Sequence, residues 1–290
     1  MNRARSRNKS PLLCFVFFLL SLNAAAAEPA NSSASKTLFA PLTADPMEPR
    51  IAIMPRIGER LLQLDIGSSA DLYTSESREF AAGVDFGTYS LLRRRESFKF
   101  PVDAIDYIFG VNASWTKRLQ SDALPFEKFS GRVRLSHISA HFEDGHTDSS
   151  GAWIQGDCPF PIPFTYSREF LNMVLALSSP GHRVYGGYQY LYHSIPSGIN
   201  PHSFQAGAAL STTKNSWLAA DFKLLPIWQS ALSETKGFRG TWNLQAGMHL
   251  DGLGLEKVKL ACGWSSGMSR HGMYFYQPES FSSVGVIIDL

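Results

Sequence analysis

Three side chains in this sequence have the types and spacing to open an ester: the hydroxyl of Ser139, the imidazole of His137 and the carboxylate of Glu169. A serine becomes a nucleophile when a neighbouring imidazole takes its proton, and a carboxylate on the far ring nitrogen fixes the imidazole tautomer and steadies its charged form. His137 and Ser139 are two residues apart, so on a β-strand they share a face about 6.6 Å apart. Glu169 joins them if segments 129–143 and 163–177 form a hairpin closing with residue 143 opposite 163. His137 then lies opposite Glu169, and Ser139 opposite Ser167. Directly opposed residues point to the same face of a sheet. A slip of two residues would place Ser167 or Leu171 opposite His137 instead.

Plainer readings stand beside this one. His137, Ser139 and His141 also suit the rim of a membrane strand, where the chain meets lipid headgroups. A metal reading gathers His137, His141, Glu143 and Asp144, but positions i and i+4 of a strand are too far apart for one ion unless the strand bends. The acidic stretch with Glu143, Asp144, Asp148 and Asp157 has carboxylates enough for calcium. Its spacing matches no calcium-loop pattern, and a solvated loop is the simpler account. Arg93-Arg94-Arg95 is placed to touch lipid phosphates, although a charge run is usually only solvated.

The element that must position this chemistry is the stretch Gly131 to Asp144. Val133, Leu135, His137, Ser139 and His141 alternate with Arg132, Arg134 and Ser136. In a membrane barrel the apolar pair marks the lipid side and the arginines the lumen. Comparable period-two segments recur at about 60–74, 79–92, 105–118, 163–177, 182–194, 202–213, 216–228, 237–249, 255–266 and 280–290. A short one at 50–55, ended by Pro55, makes twelve with 129–143. In 237–249, Phe238, Gly240, Trp242, Leu244, Ala246 and Met248 form a greasy face, and the intervening residues a polar one. Polar residues such as Arg132, Arg134, Asn172, Arg239, Asn243 and Gln245 suit a filled or hydrated interior. Tyr185, Tyr188, Tyr190, Tyr192 and Trp242 are read as barrel wall and aromatic girdle.

Connections alternate between tight turns, as at 178–181, 214–215 and 251–254, and longer loops, as at 144–162 and 267–279. Bacterial barrels have an even strand number, short periplasmic turns and longer outer loops. With both termini periplasmic, strand 129–143 runs outward. The connection 119–128 is long for a periplasmic turn. The fold expected is therefore all-β: a closed antiparallel transmembrane β-barrel of about twelve strands.

Ahead of it, residues 1–27 read as a cleaved signal peptide. Arg3, Arg5, Arg7 and Lys9 precede an apolar run from Leu12 to Leu22 and the small residues Ala25-Ala26-Ala27. Residues 28–48 are small, polar and broken by proline, which predicts a flexible periplasmic lead-in before a barrel over 49–290. Charged residues make up only 18% of the chain and the formal net charge is +2, a balance that does not suggest nucleic-acid binding. Cys158 and Cys262, the cysteines left after processing, fall in a loop and on an apolar strand face, and no disulfide is expected.

His137-Ile-Ser139 near the outer end of one strand, followed by a loop and Ser167-Arg168-Glu169-Phe170 opening the next, resembles the His-x-Ser pattern of outer-membrane phospholipase A and the lipid A 3-O-deacylases. The resemblance covers some forty residues and implies Ser139 as nucleophile, His137 as base and Glu169 in the deacylase-type orienting role. It also implies calcium as a cofactor, since calcium activates the phospholipase. Those families place Asn after the serine and Gly shortly beyond, next to the oxyanion site. Here Ala140 and His141 follow, and the first glycine is Gly145.

Most of the mature chain, from about Leu38 to Leu290, resembles an uncharacterised bacterial family predicted to sit in the outer membrane. The shared stretches are Pro41-Leu42 with Ala44-Asp45-Pro46, the Ser136-His137-Ile-Ser139-Ala-His141 run ending in Glu143-Asp144, Tyr166-Ser167-Arg168-Glu169, and Arg183-Val184-Tyr185-Gly186-Gly187. The last strand is similar to the C-terminal assembly signal of bacterial barrels, with Leu290 where most have Phe, so the barrel-assembly machinery is an expected partner.

The expectation is thus an exported outer-membrane barrel, monomeric or weakly dimeric, that hydrolyses acyl esters of phospholipid or lipid A from its outer wall. The alternative is a non-catalytic barrel, either a narrow channel or a structural surface protein.

Overall fold

A computed structural model describes residues 37–120, 125–142, 165–228 and 237–289. Its strands are β1 (Ile51–Pro55), β2 (Leu61–Thr74), β3 (Phe80–Arg93), β4 (Val102–Arg118), β5 (Lys128–Phe142), β6 (Tyr166–Ser179), β7 (His182–Ile195), β8 (His202–Ser211), β9 (Ser216–Pro226), β10 (Phe238–Leu250), β11 (Leu255–Met268) and β12 (Pro278–Ile288). Each pairs antiparallel with its sequence neighbours, and β1 closes the ring on β12. The result is a closed twelve-stranded antiparallel barrel. Closure leaves no free sheet edge, which is what allows strands to lie in hydrocarbon. Apart from β1, the strands run 10 to 17 residues, enough for the nine to eleven or so that a tilted membrane strand needs.

The period-two pattern becomes the two sides of the wall. Outward lie exposed Ile66, Phe86, Phe109, Val111, Leu135, Met173, Leu175, Trp242 and Val284. Inward lie buried Asp65, Asp85, Arg132, Arg134, Asp221, Asn243 and Gln245. Tyr185 departs from the girdle reading, because its ring faces the interior and its hydroxyl donates to Asp221 Oδ2 at 2.7 Å.

The composition of 28–48 points to a flexible lead-in, but its described part, residues 37–48, folds into the lumen. Phe39 and Leu42 pack against Val174, Ala176 and Tyr185 of the inner wall. Asp45 accepts from Lys223 Nζ at 2.6 Å and from Gln205 Nε2 at 2.8 Å. Glu48 is gripped by the guanidinium groups of Arg132 and Arg134. Just beyond, Arg50 bonds Asp65, which also receives Arg270. Charged groups that would be costly alone in the interior are thereby paired.

The β11–β12 connection also folds inward. Asp106, fully buried on β4, accepts from the backbone N–H of Gly272 at 2.6 Å and pairs with His271 Nδ1 at 2.8 Å. A Cβ at position 272 would sit 2.4 Å from the Tyr166 ring, so only glycine fits this approach.

Candidate active site

The β5–β6 hairpin has the register expected of it: His137 opposes Glu169 and Ser139 opposes Ser167. On β5, Val133, Leu135, His137, Ser139 and His141 face outward, while Arg132, Arg134, Ser136, Ile138 and Ala140 are buried within the barrel. Both strands run straight through this pairing without a shift, so the shared face carries His137, Ser139, Ser167 and Glu169 together near the long-loop end.

Glu169 Oε1 lies 2.6 Å from His137 Nδ1 and accepts from Ser167 Oγ at 3.0 Å. The Phe109 ring stacks on the other flank of His137, with centroids 5.9 Å apart and planes 8° from parallel, which limits rotation of the imidazole. With Nδ1 engaged by the carboxylate, Nε2 is the ring nitrogen left to take a proton. Among the described residues no hydrogen bond joins Ser139 to His137. The two share the outer face one strand repeat apart, within reach of a side-chain rotation or a bound substrate.

A fourth side chain belongs here that sequence periodicity misses. His193 Nδ1 holds Glu169 Oε2, so the carboxylate is gripped on both oxygens by two imidazoles. Strict alternation along β7 carries Tyr188, Tyr190 and Tyr192 outward and would turn His193 inward. The β6–β7 ladder instead shifts between Glu169 and Phe170, pairing Phe170 with Leu191 but Glu169 with His193. Tyr192 is the extra residue of a β-bulge, and the bulge brings His193 to the outer face. Bulges that re-aim a side chain in this way are common beside active sites. The sequence signal, a histidine next to a run of alternating tyrosines, is too weak to locate such a break.

The calcium candidates Glu143, Asp144 and Asp148 lie outside the described residues, as do Asp157, Gly145 and Cys158. His141 is exposed on the same face as His137 and stacks edge-on against Tyr107, at 6.2 Å between centroids, rather than joining the cluster. Among the described residues no group of three or more His, Cys, Asp or Glu side chains is arranged to hold a metal ion. Arg93 of the expected phosphate-touching run is drawn to Asp103 across the β3–β4 connection.

No family model matches the chain, and no curated protein sequence matches it. The likeness to the uncharacterised outer-membrane family and to the lipid A deacylases therefore rests on the residues quoted above alone. Solved structures do match. Outer membrane phospholipase A from Escherichia coli superposes with a TM-score of 0.55 at 11% identity, covering 79% of this chain and 80% of that one. An active-site mutant of the same protein at pH 6.1 gives 0.57 at 11% identity over 86% and 93%. The Salmonella typhi outer membrane phospholipase, a dimer with bound calcium, gives 0.56 at 12% over 79% and 78%. The fold of this chain is that of a bacterial outer-membrane β-barrel.

Proposed function

We propose that this chain sits in the bacterial outer membrane after export by its N-terminal signal and hydrolyses acyl esters of phospholipid or lipid A from the outer wall of the barrel. The observation that carries the reading is the 2.6 Å contact of His137 Nδ1 with Glu169 on a lipid-facing wall. Ionisable groups on such a wall are costly unless paired, and stability alone gives no reason for three of them there.

In the proposed reaction, Ser139 Oγ attacks the ester carbonyl carbon as His137 Nε2 takes its proton. Glu169, bonded to Nδ1, steadies the resulting imidazolium. Collapse of the tetrahedral species breaks the bond to the alcohol oxygen, which leaves with the proton from His137. Water then gives its proton to His137 and attacks the acyl-serine, releasing a fatty acid and restoring Ser139. Exposed Leu135, Met173 and Leu175 lie beside the site on the same wall, where they suit an acyl chain still in the membrane. Ala140 and His141 stand where the resembled enzymes place asparagine, so the oxyanion must be met by donors other than that side chain.

The competing reading is a non-catalytic barrel. The lumen filled by residues 37–50 and by the β11–β12 connection weighs against its channel form, leaving a structural surface protein as the rival. The test is fatty-acid release from phospholipid and lipid A in mixed micelles, with planar-bilayer conductance measured on the same preparation. Release lost in Ser139→Ala and His137→Ala, with both variants still heat-modifiable on gels, supports the hydrolase. Conductance with an inert Ser139 would overturn it.

A further inference from the structure

Directly behind this site, on the inner face of the same strand, lies a cavity of about 170 Å³. The share of liquid volume taken by one water is about 30 Å³, so the space exceeds what a few ordered waters need. Asn172, Gln189 and Ser203 line it together with Arg168. Asn200 and Phe275, from connections at the long-loop end, line it too.

Arg168 distinguishes this cavity from the rest of the interior by its charge. The other cations on its wall are already neutralised: Arg134 by Glu48 and Asp85, Lys223 by Asp45, Arg270 by Asp65. Arg168 has no carboxylate partner among the described residues. Its guanidinium lies over the Tyr166 and Phe275 rings, 4.8 and 4.9 Å from their centroids, and its Nε is buried without a hydrogen bond. Two aromatic faces hold the plane in place, which removes much of the ordering cost a ligand would otherwise meet. A fixed guanidinium is suited to carboxylate or phosphate oxygens. The neighbouring carboxamides and hydroxyl match hydroxyl groups on the same ligand.

We infer that this lumenal cavity binds a small anion, a carboxylate or phosphate carried on a hydroxylated body, with Arg168 as its charge partner. The inference is independent of hydrolysis at Ser139, because the two sites occupy opposite faces of the β5–β6 hairpin.

The test is calorimetric titration of the full mature chain in detergent with glucuronate, glucose 6-phosphate and neutral glucose. At least one anion is expected to bind tenfold or more tighter than glucose, about the effect of one well-placed charged hydrogen bond. Binding of glucuronate alone assigns a carboxylate ligand, and binding of glucose 6-phosphate alone a phosphate. Arg168→Gln should weaken binding at least tenfold. Should that variant fail to fold, the unaltered protein still decides through salt, because a partly screened charge contact weakens several-fold between about 0.05 and 0.5 M, and through Asn172→Leu, which removes a neutral contact. Anion binding no tighter than glucose, binding unchanged in Arg168→Gln, or binding indifferent to both salt and Asn172→Leu would overturn the assignment.

Discussion

Two carboxylates in this barrel are gripped in the same way by two basic side chains, one on each side of the wall. Inside, Glu48 is held by Arg132 and Arg134, and its side chain is 3% exposed. Outside, Glu169 is held by His137 and His193, and its side chain is 22% exposed, with His137 at 39%. Burial alone would raise the Glu48 carboxyl, but the two guanidinium groups outweigh it and hold that pKa well below the usual carboxylate range. Guanidinium does not give up its proton at any relevant pH, so the inner clamp can only hold. Imidazole, unlike guanidinium, can act as either proton donor or proton acceptor, and the outer clamp stands open to membrane and solvent. The same geometry is therefore a fastening in one place and, in the reaction proposed above, a means of moving a proton in the other.

The largest effect that would test this division is at Ser139. Ser139→Ala should lower fatty-acid release by about a millionfold, as loss of a nucleophile does in hydrolases that work as a unit, with thermal unfolding unchanged. An equal loss of stability would instead make Ser139 part of the wall.

Glu48→Ala should do the reverse, leaving the chemistry of any folded molecules intact while weakening the fold. It strips Arg132 of its carboxylate partner, whereas Arg134 retains Asp85 at 3.0 Å. Breaking a buried pair costs about 3–5 kcal/mol, readable as a fall in urea midpoint. The sign with pH follows from a depressed folded pKa. The stabilisation by Glu48 is complete above the unfolded glutamate value of about 4.3 and is lost as pH falls through the lower folded value. The difference between wild type and Glu48→Ala should therefore narrow on acidification below about pH 4. A difference that widens would mean that the arginines are not what holds Glu48.

Glu169→Ala should reduce release by about ten-thousandfold, the loss seen when the orienting carboxylate of a triad is removed, with little change in unfolding. If activity is untouched, His137 is oriented by something else, and Glu169 joins Glu48 as a fastening.

How far these two clamps could be read from the chain differs for a physical reason. The outer pair follows from local pattern. His137 and Glu169 lie 32 residues apart on adjacent strands of one hairpin, and alternation on each strand, joined by a single closing register, puts them face to face. The inner pair has no such guide. Glu48 meets Arg132 across 84 residues, and Lys223 meets Asp45 across 178. The segment carrying the acids is polar and rich in proline, so by composition it resembles a linker. Its burial comes from the lumen's unpaired cations, which are visible only once the barrel has closed. His193 was hidden for a third reason. Alternation was the signal that placed every other wall residue of the site, and a single extra residue at Tyr192 reverses it.

The smallest effect expected is at that hidden position, and it refines the comparison most. His193 touches Glu169 and not Ser139, so in the proposed reaction its part would be positioning: it holds the second carboxylate oxygen and thereby the angle at which the first meets His137. Its side chain is 55% exposed, and an exposed contact of this kind is worth little in stability. His193→Ala should leave unfolding unchanged and lower kcat by about tenfold or less, near the value of one hydrogen bond, with KM unaffected because no acyl contact is lost. His193→Gln, which keeps a donor near the carboxylate, should recover most of that rate, whereas a purely structural role would show as matched losses in unfolding for both variants. Deleting Tyr192 is the sharper version. It removes the bulge and moves His193 into the place that Tyr192 leaves, outward by alternation and still opposite Glu169, so the rate should survive, whereas a fall to the His193→Ala rate would show that the bulge itself sets the carboxylate's angle.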